Sequence, residues 1–106
     1  MNADDFARLC REEKDSLLNA YFDEGVETAV GVRVREMQLD ETRLAILRDI
    51  LDGVLTDAFY GLLLGLDGAA SIGGMQQCFE LRDESGDKIN GDGELESAAF
   101  SHFQES

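Results

Sequence analysis

The chain has no proline, one histidine, two cysteines and only nine basic residues among 106, and each scarcity closes off a class of function. Without proline, and without a low-complexity tract or an internal repeat, nothing marks a linker. Residues 1–106 therefore read as one globular domain, the size at which a chain buries roughly two-thirds of its surface without staples. His102 stands alone near the C-terminus, beside Phe103. A single histidine there is a poor catalytic base, and nothing around it activates a nucleophile. Cys10 and Cys78 are far apart, form no CxxC pair and sit among apolar neighbours. Both read as buried thiols rather than as a disulfide or a redox centre. With so few His and Cys, a metal site of the zinc type lacks ligands. No catalytic residue, metal ligand or cofactor is expected, and the chain reads as a non-enzyme.

Long hydrophobic runs are missing too. The longest, Ala58 to Leu66, falls short of the roughly 18 residues that a spanning helix needs. Met1-Asn2-Ala3-Asp4-Asp5 has neither the basic nor the apolar part of a signal peptide. A cytoplasmic location is the expectation, with no membrane partner. The shortage of Lys and Arg argues equally against nucleic acid, whose phosphates require clustered cations.

What the chain has is acid. There are 23 Asp and Glu residues, for a net charge of −14 and a pI near 4.1. The excess grows along the sequence, from 13 acids against 7 bases in residues 1–53 to 10 against 2 in residues 54–106. Asp83, Glu84, Asp87, Asp92, Glu94 and Glu96 share one nearby base, Lys88. Such a surface serves solubility, or it attracts a basic partner. Disorder is excluded, because 43% of the residues are hydrophobic and long apolar segments interrupt the charge.

Those segments carry readable periods. Phe6, Leu9, Cys10, Leu17, Leu18, Tyr21 and Phe22 recur at helical spacing, with Arg11, Glu12, Lys14 and Asp15 opposite. This predicts an amphipathic helix over 3–22, capped by Asn2 or Asp4. Residues 26–37 fit two patterns. Val26, Thr28, Val30, Val32 and Val34 alternate as in a strand, while Val26, Val30, Val34 and Met37 share a helical face. The strand has slightly more matches. Asp40 then caps a long helix over about 41–66, which at 1.5 Å per residue would span about 39 Å. Its apolar second half is expected to be the buried centre of the fold, with a kink at Asp52-Gly53 and close packing at Gly61 and Gly65. Met75 to Leu81 reads as a strand, turned by Glu84-Ser85-Gly86 onto a partner around Lys88 and Ile89 to form a hairpin. A last helix over 94–104 buries Leu95, Ala99 and Phe103. The expected class is α+β: mainly helical, with a central hydrophobic helix and a short antiparallel β-hairpin.

Two loops invite functional readings. Gly68 to Gly74 lacks the Lys-Ser/Thr of a phosphate loop and leads from helix to strand, so it reads as a connector. Asp83 to Glu94 has acids at positions 1, 5 and 12 of a calcium loop. Lys88 stands where that loop needs glycine, and Ile89 comes one place early. An acidic turn is the better reading.

Residues 55–103 resemble the small acidic bacterial immunity proteins of polymorphic and contact-dependent toxin systems. The resemblance rests on Thr56-Asp57, Leu66-Asp67-Gly68, Gly73-Gly74, Gln76-Gln77 and Glu94-Leu95-Glu96. It implies a stoichiometric inhibitor whose acidic face docks a basic protein such as a toxin, and it transfers no catalytic motif. The expected partner-binding residues are Asp83, Glu84, Asp87, Asp92, Glu94 and Glu96. The alternative is a structural or regulatory subunit that associates with itself as a homodimer.

Overall fold

A computed structural model describes residues 1–105 and contains four helices. Helix α1 spans Ala3–Phe22, α2 Ala29–Glu36, α3 Glu41–Leu66 and α4 Glu94–Phe103. The starts of α1, α2 and α3 are fixed locally. Asn2 Oδ1 accepts from the Asp5 N–H at 2.8 Å, and Asp4 and Asp5 lie at the positive end of the α1 dipole. Thr28 Oγ1 accepts from the Gly31 N–H at 2.9 Å, and Asp40 Oδ1 from the Arg43 N–H at 2.8 Å. Of residues 26–37, Ala29–Glu36 therefore settle as helix rather than strand. The Thr28 cap satisfies a backbone donor at the helix start. Gly31 lets α2 close on α1, where an added Cβ would lie 3.1 Å from the Tyr21 carbonyl.

Among the described residues there is no sheet, which overturns the α+β expectation and its β-hairpin. Only two isolated bridges occur, Ile72 with Met75 and Arg82 with Lys88. The physical reason lies in one side chain. Buried Asn90 accepts from the Leu81 N–H at 2.8 Å, and its amide donates to the carbonyls of Phe79 at 2.9 Å and of Leu66. Backbone groups that a neighbouring strand would have satisfied are thus held by an amide. The chain still reverses at residues 83–87, but no ladder grows from that turn.

The core lies where α1, the second half of α3 and α4 meet. Ala3 and Ala7 of α1, Leu63 of α3, Ile89, and Leu95, Ala98, Ala99 and Phe103 of α4 are buried together. Phe59 and Phe103 stack across the α3–α4 junction with ring centroids 6.3 Å apart. The alanines of α1 and α4 permit this close meeting, and α4 is the most thoroughly enclosed helix. The expectation of a central α3 is corrected accordingly. Of its 26 residues only Leu63 and Gly65 are buried, and the helix runs unbroken through Asp52-Gly53. Gly65 is closely packed, since a Cβ there would collide with Ile72, whereas Gly61 faces open space.

The first half of α3 leaves the core and runs beside the end of α1, together with α2. Lys14, expected on a polar face, is buried at this junction and pairs with Asp52 at 2.6 Å and Asp15 at 3.0 Å. Burial raises the pKa of Asp15, but the Lys14 and Arg11 cations outweigh it and hold the carboxyl below its usual range. Further along, the Arg48 guanidinium lies 5.2 Å from the Phe22 ring centroid and donates to Asn19. The result is elongated. The radius of gyration is 16.1 Å, against about 13 Å for a compact domain of this length. Cys10 is half-buried, and burial raises its thiol pKa, whereas Cys78 is exposed, contrary to its expected burial.

Candidate functional site: an acidic pole around the start of α1

The six acids expected to bind a partner do not play one role. Asp83 is built into the fold. Its Oδ1 accepts from the N–H groups of Ser85 and Asp87, both at 3.0 Å, which sets the turn. Its Oδ2 meets the Met1 ammonium at 2.6 Å. The ammonium first, then the Asp87 N–H, hold the Asp83 carboxyl below its ordinary pKa. The same contact raises the pKa of the amino group, which also feels Asp87 and Asp5. Asp83 thus clips residues 83–87 to the start of α1.

That clip, together with the packing of α4 on α1, gathers charge from two distant stretches, residues 4–5 and 84–94. Asp87 and Asp5 lie close enough to Met1 to act on its ammonium. Glu84 projects from the same turn into solvent. Glu94, at the start of α4, shares a hollow of about 300 Å³ with Asn2, Asp4 and Ser97. Asp4 also faces His102, its Oδ1 2.9 Å from Nε2. Asp92 turns its carboxylate to the Glu94 N–H at 3.0 Å, so it works at the helix start. Glu96 lies round α4, in a separate hollow with Tyr60, Phe100 and Glu105. The acidic pole therefore comprises Asp4, Asp5, Glu84, Asp87 and Glu94, with Asp83 beneath it. Lys88 and Arg82 are the bases of the turn; Arg82 pairs with Glu80 at 3.0 Å and donates to the Gly86 carbonyl.

Sequence reasoning missed Asp4 and Asp5, whose role as helix-start residues explained them fully. It also missed Asp67. At the end of α3, this carboxylate accepts from the N–H groups of Gly91 and, at 2.8 Å, Glu96. It joins the end of α3 to the start of α4, where Gly93 offers no capping side chain. The conserved physics of caps could have found it only if the chain reversal were already known.

Chemically, the pole presents carboxylates on exposed loops and helix starts. Among the described residues no group of three or more His, Cys, Asp or Glu is arranged to hold a metal ion. No helix of the described residues is long and apolar enough to cross a membrane. Compared with family models, with curated proteins and with solved structures, the chain matches none.

Proposed function

We propose that this protein is a non-catalytic, acidic binding module of the cytoplasm that docks a basic protein and inhibits it stoichiometrically. The resemblance of residues 55–103 to immunity-type proteins makes a toxin the natural candidate for that basic partner. The observation that carries the reading is the convergence of Asp4, Asp5, Asp87 and Glu94 on the start of α1. Two stretches far apart in sequence, residues 4–5 and 84–94, bring these carboxylates together around the Met1 ammonium, which they outnumber. Such an arrangement focuses a field that speeds encounter with a cationic surface. The half-exposed Phe100 of α4, in the neighbouring hollow with Glu96, is suited to anchor the contact once formed.

The test is affinity capture from the native host with tagged protein, at low and at high salt, with mass spectrometry of what is retained. The reading expects one basic protein held at low salt and shed at high salt. Retention of acidic or neutral proteins alone, indifferent to salt, would refute it.

A further inference from the structure

Away from the pole, the first half of α3 carries an apolar stripe that its own chain leaves uncovered. Ile46, Ile50 and Val54 are 56%, 55% and 56% exposed. Four-residue steps on a helix keep them on one side. That side is opposite the one turned to α1, because Arg48 and Asp52 make the α1 contacts with Asn19, Phe22 and Lys14. At about 100° per residue, the line through 48 and 52 lies roughly half a turn from the line through 46, 50 and 54. Gly53 adds no bulk there, with no atom within 4 Å of where its Cβ would sit.

The same face begins at Arg43 and ends at Asp57. Read along the helix, Arg43, Ile46, Ile50, Val54 and Asp57 are spaced by 3, 4, 4 and 3 residues, a pattern symmetrical about Ile50. Asp57 is exposed and has no ion-pair partner among the described residues. Arg43 is also exposed. It meets Asp40 at 2.9 Å, and a guanidinium has donors to spare for a second carboxylate.

We propose that this face is the interface of a homodimer, in which α3 of one copy packs antiparallel against α3 of the other. The two-fold axis passes beside Ile50. Ile50 then meets its own mate, Ile46 meets Val54 about 6 Å either side of the axis, and Arg43 meets Asp57 about 10 Å out. Antiparallel pairing makes both ends attractive, whereas parallel pairing would set Arg43 against Arg43 and Asp57 against Asp57. Such self-complementarity is what a two-fold interface requires. It also gives the elongated arm of α3 something to pack on. The net charge of −14 per copy opposes association, but at physiological salt the screening length is about 8 Å. Distant acids are then muted while contacting pairs persist. This interface is separate from the acidic pole and stands or falls independently of it.

The test is sedimentation equilibrium at tens of micromolar and physiological salt. The full chain should sediment at twice 11.7 kDa. Ile50→Glu, which sets two carboxylates on the axis, should give a monomer with unchanged helicity. Arg43→Glu and Asp57→Arg should each weaken the dimer roughly tenfold or more, and the two combined in one chain should restore it. A full chain that is monomeric throughout would overturn the proposal. So would a dimer indifferent to Ile50→Glu, or a double variant no better than the single ones.

Discussion

Leu62 and Leu63 are adjacent, identical in chemistry and opposite in environment, which makes them a sharp test of how α3 is turned. Leu63 is 2% exposed in the core and Leu62 is 51% exposed. Truncating Leu63 to alanine removes three carbons, worth about 2 kcal/mol in transfer alone at ~0.8 kcal/mol per methylene. A cavity term follows, and its size depends on whether the surroundings can collapse. Here they include Ala3, Ala7, Ala98 and Ala99, which have no side-chain freedom to move inward. The total should fall in the upper part of the usual range, about 3–5 kcal/mol, a large share of the 5–15 kcal/mol typical of a domain. Leu62→Ala should cost under about 0.5 kcal/mol. Urea unfolding followed by circular dichroism measures both. The Leu63→Ala midpoint should drop by more than about 1 M while that of Leu62→Ala hardly moves. Equal losses for the two variants would refute the rotational setting of α3, and with it the placement of the core.

Three further outcomes are expected. Asp67→Ala should cost about 1–2 kcal/mol in chemical denaturation, because it strips the acceptor from the Gly91 and Glu96 N–H groups; a neutral result would show that α4 starts without that carboxylate. Asp52→Ala should cost more than Lys14→Met, about 1–3 against under 1 kcal/mol, since the first leaves a buried ammonium short of a partner and the second leaves a half-exposed carboxylate to water; the reverse order would contradict the buried pair. The Met1–Asp83 clip sets a pH window. Its carboxyl pKa is depressed below 3.8, so that contribution is complete above 3.8 and fades as pH falls through the folded value. Its amine pKa is raised above 8.0, so that contribution is complete below 8.0 and fades as pH climbs through the folded value. Asp83→Asn should flatten both flanks in thermal melts, and identical profiles would show that the clip does not form in solution.

Most of the helical architecture was legible because its signals are local. Asn2 and Asp40 announce α1 and α3 through side chains that reach only three residues ahead. The hairpin was misread because strand patterns describe what a segment tolerates, not where its backbone bonds go. Asn90, nine residues from Leu81, took the bonds that a partner strand would have made. The 26–37 segment was ambiguous because valines spaced by two and by four both occur, and the Thr28 cap with Gly31 decided it. Burial along α3 was overestimated because apolar composition reports preference for a dry surface, not its presence. The acidic pole was half legible. Its turn and α4 residues stood out as a charge run, but Asp4 and Asp5 join them through the packing of α4 on α1 and the Met1–Asp83 contact, which spans 82 positions. No local pattern encodes such a contact.

The proposed docking rests on the exposed carboxylates of the pole. Reversing Glu84, Asp87 and Glu94 to lysine tests it most directly, because these side chains are exposed and Asp83, which holds the turn, is left intact. The measurement is the association rate of this triple variant with the basic protein captured by the unaltered chain, at one fixed salt concentration and beside matched thermal melts. A rate at least about tenfold slower, with unfolding unchanged, is the predicted result. An unchanged rate in a variant that folds normally would contradict the account.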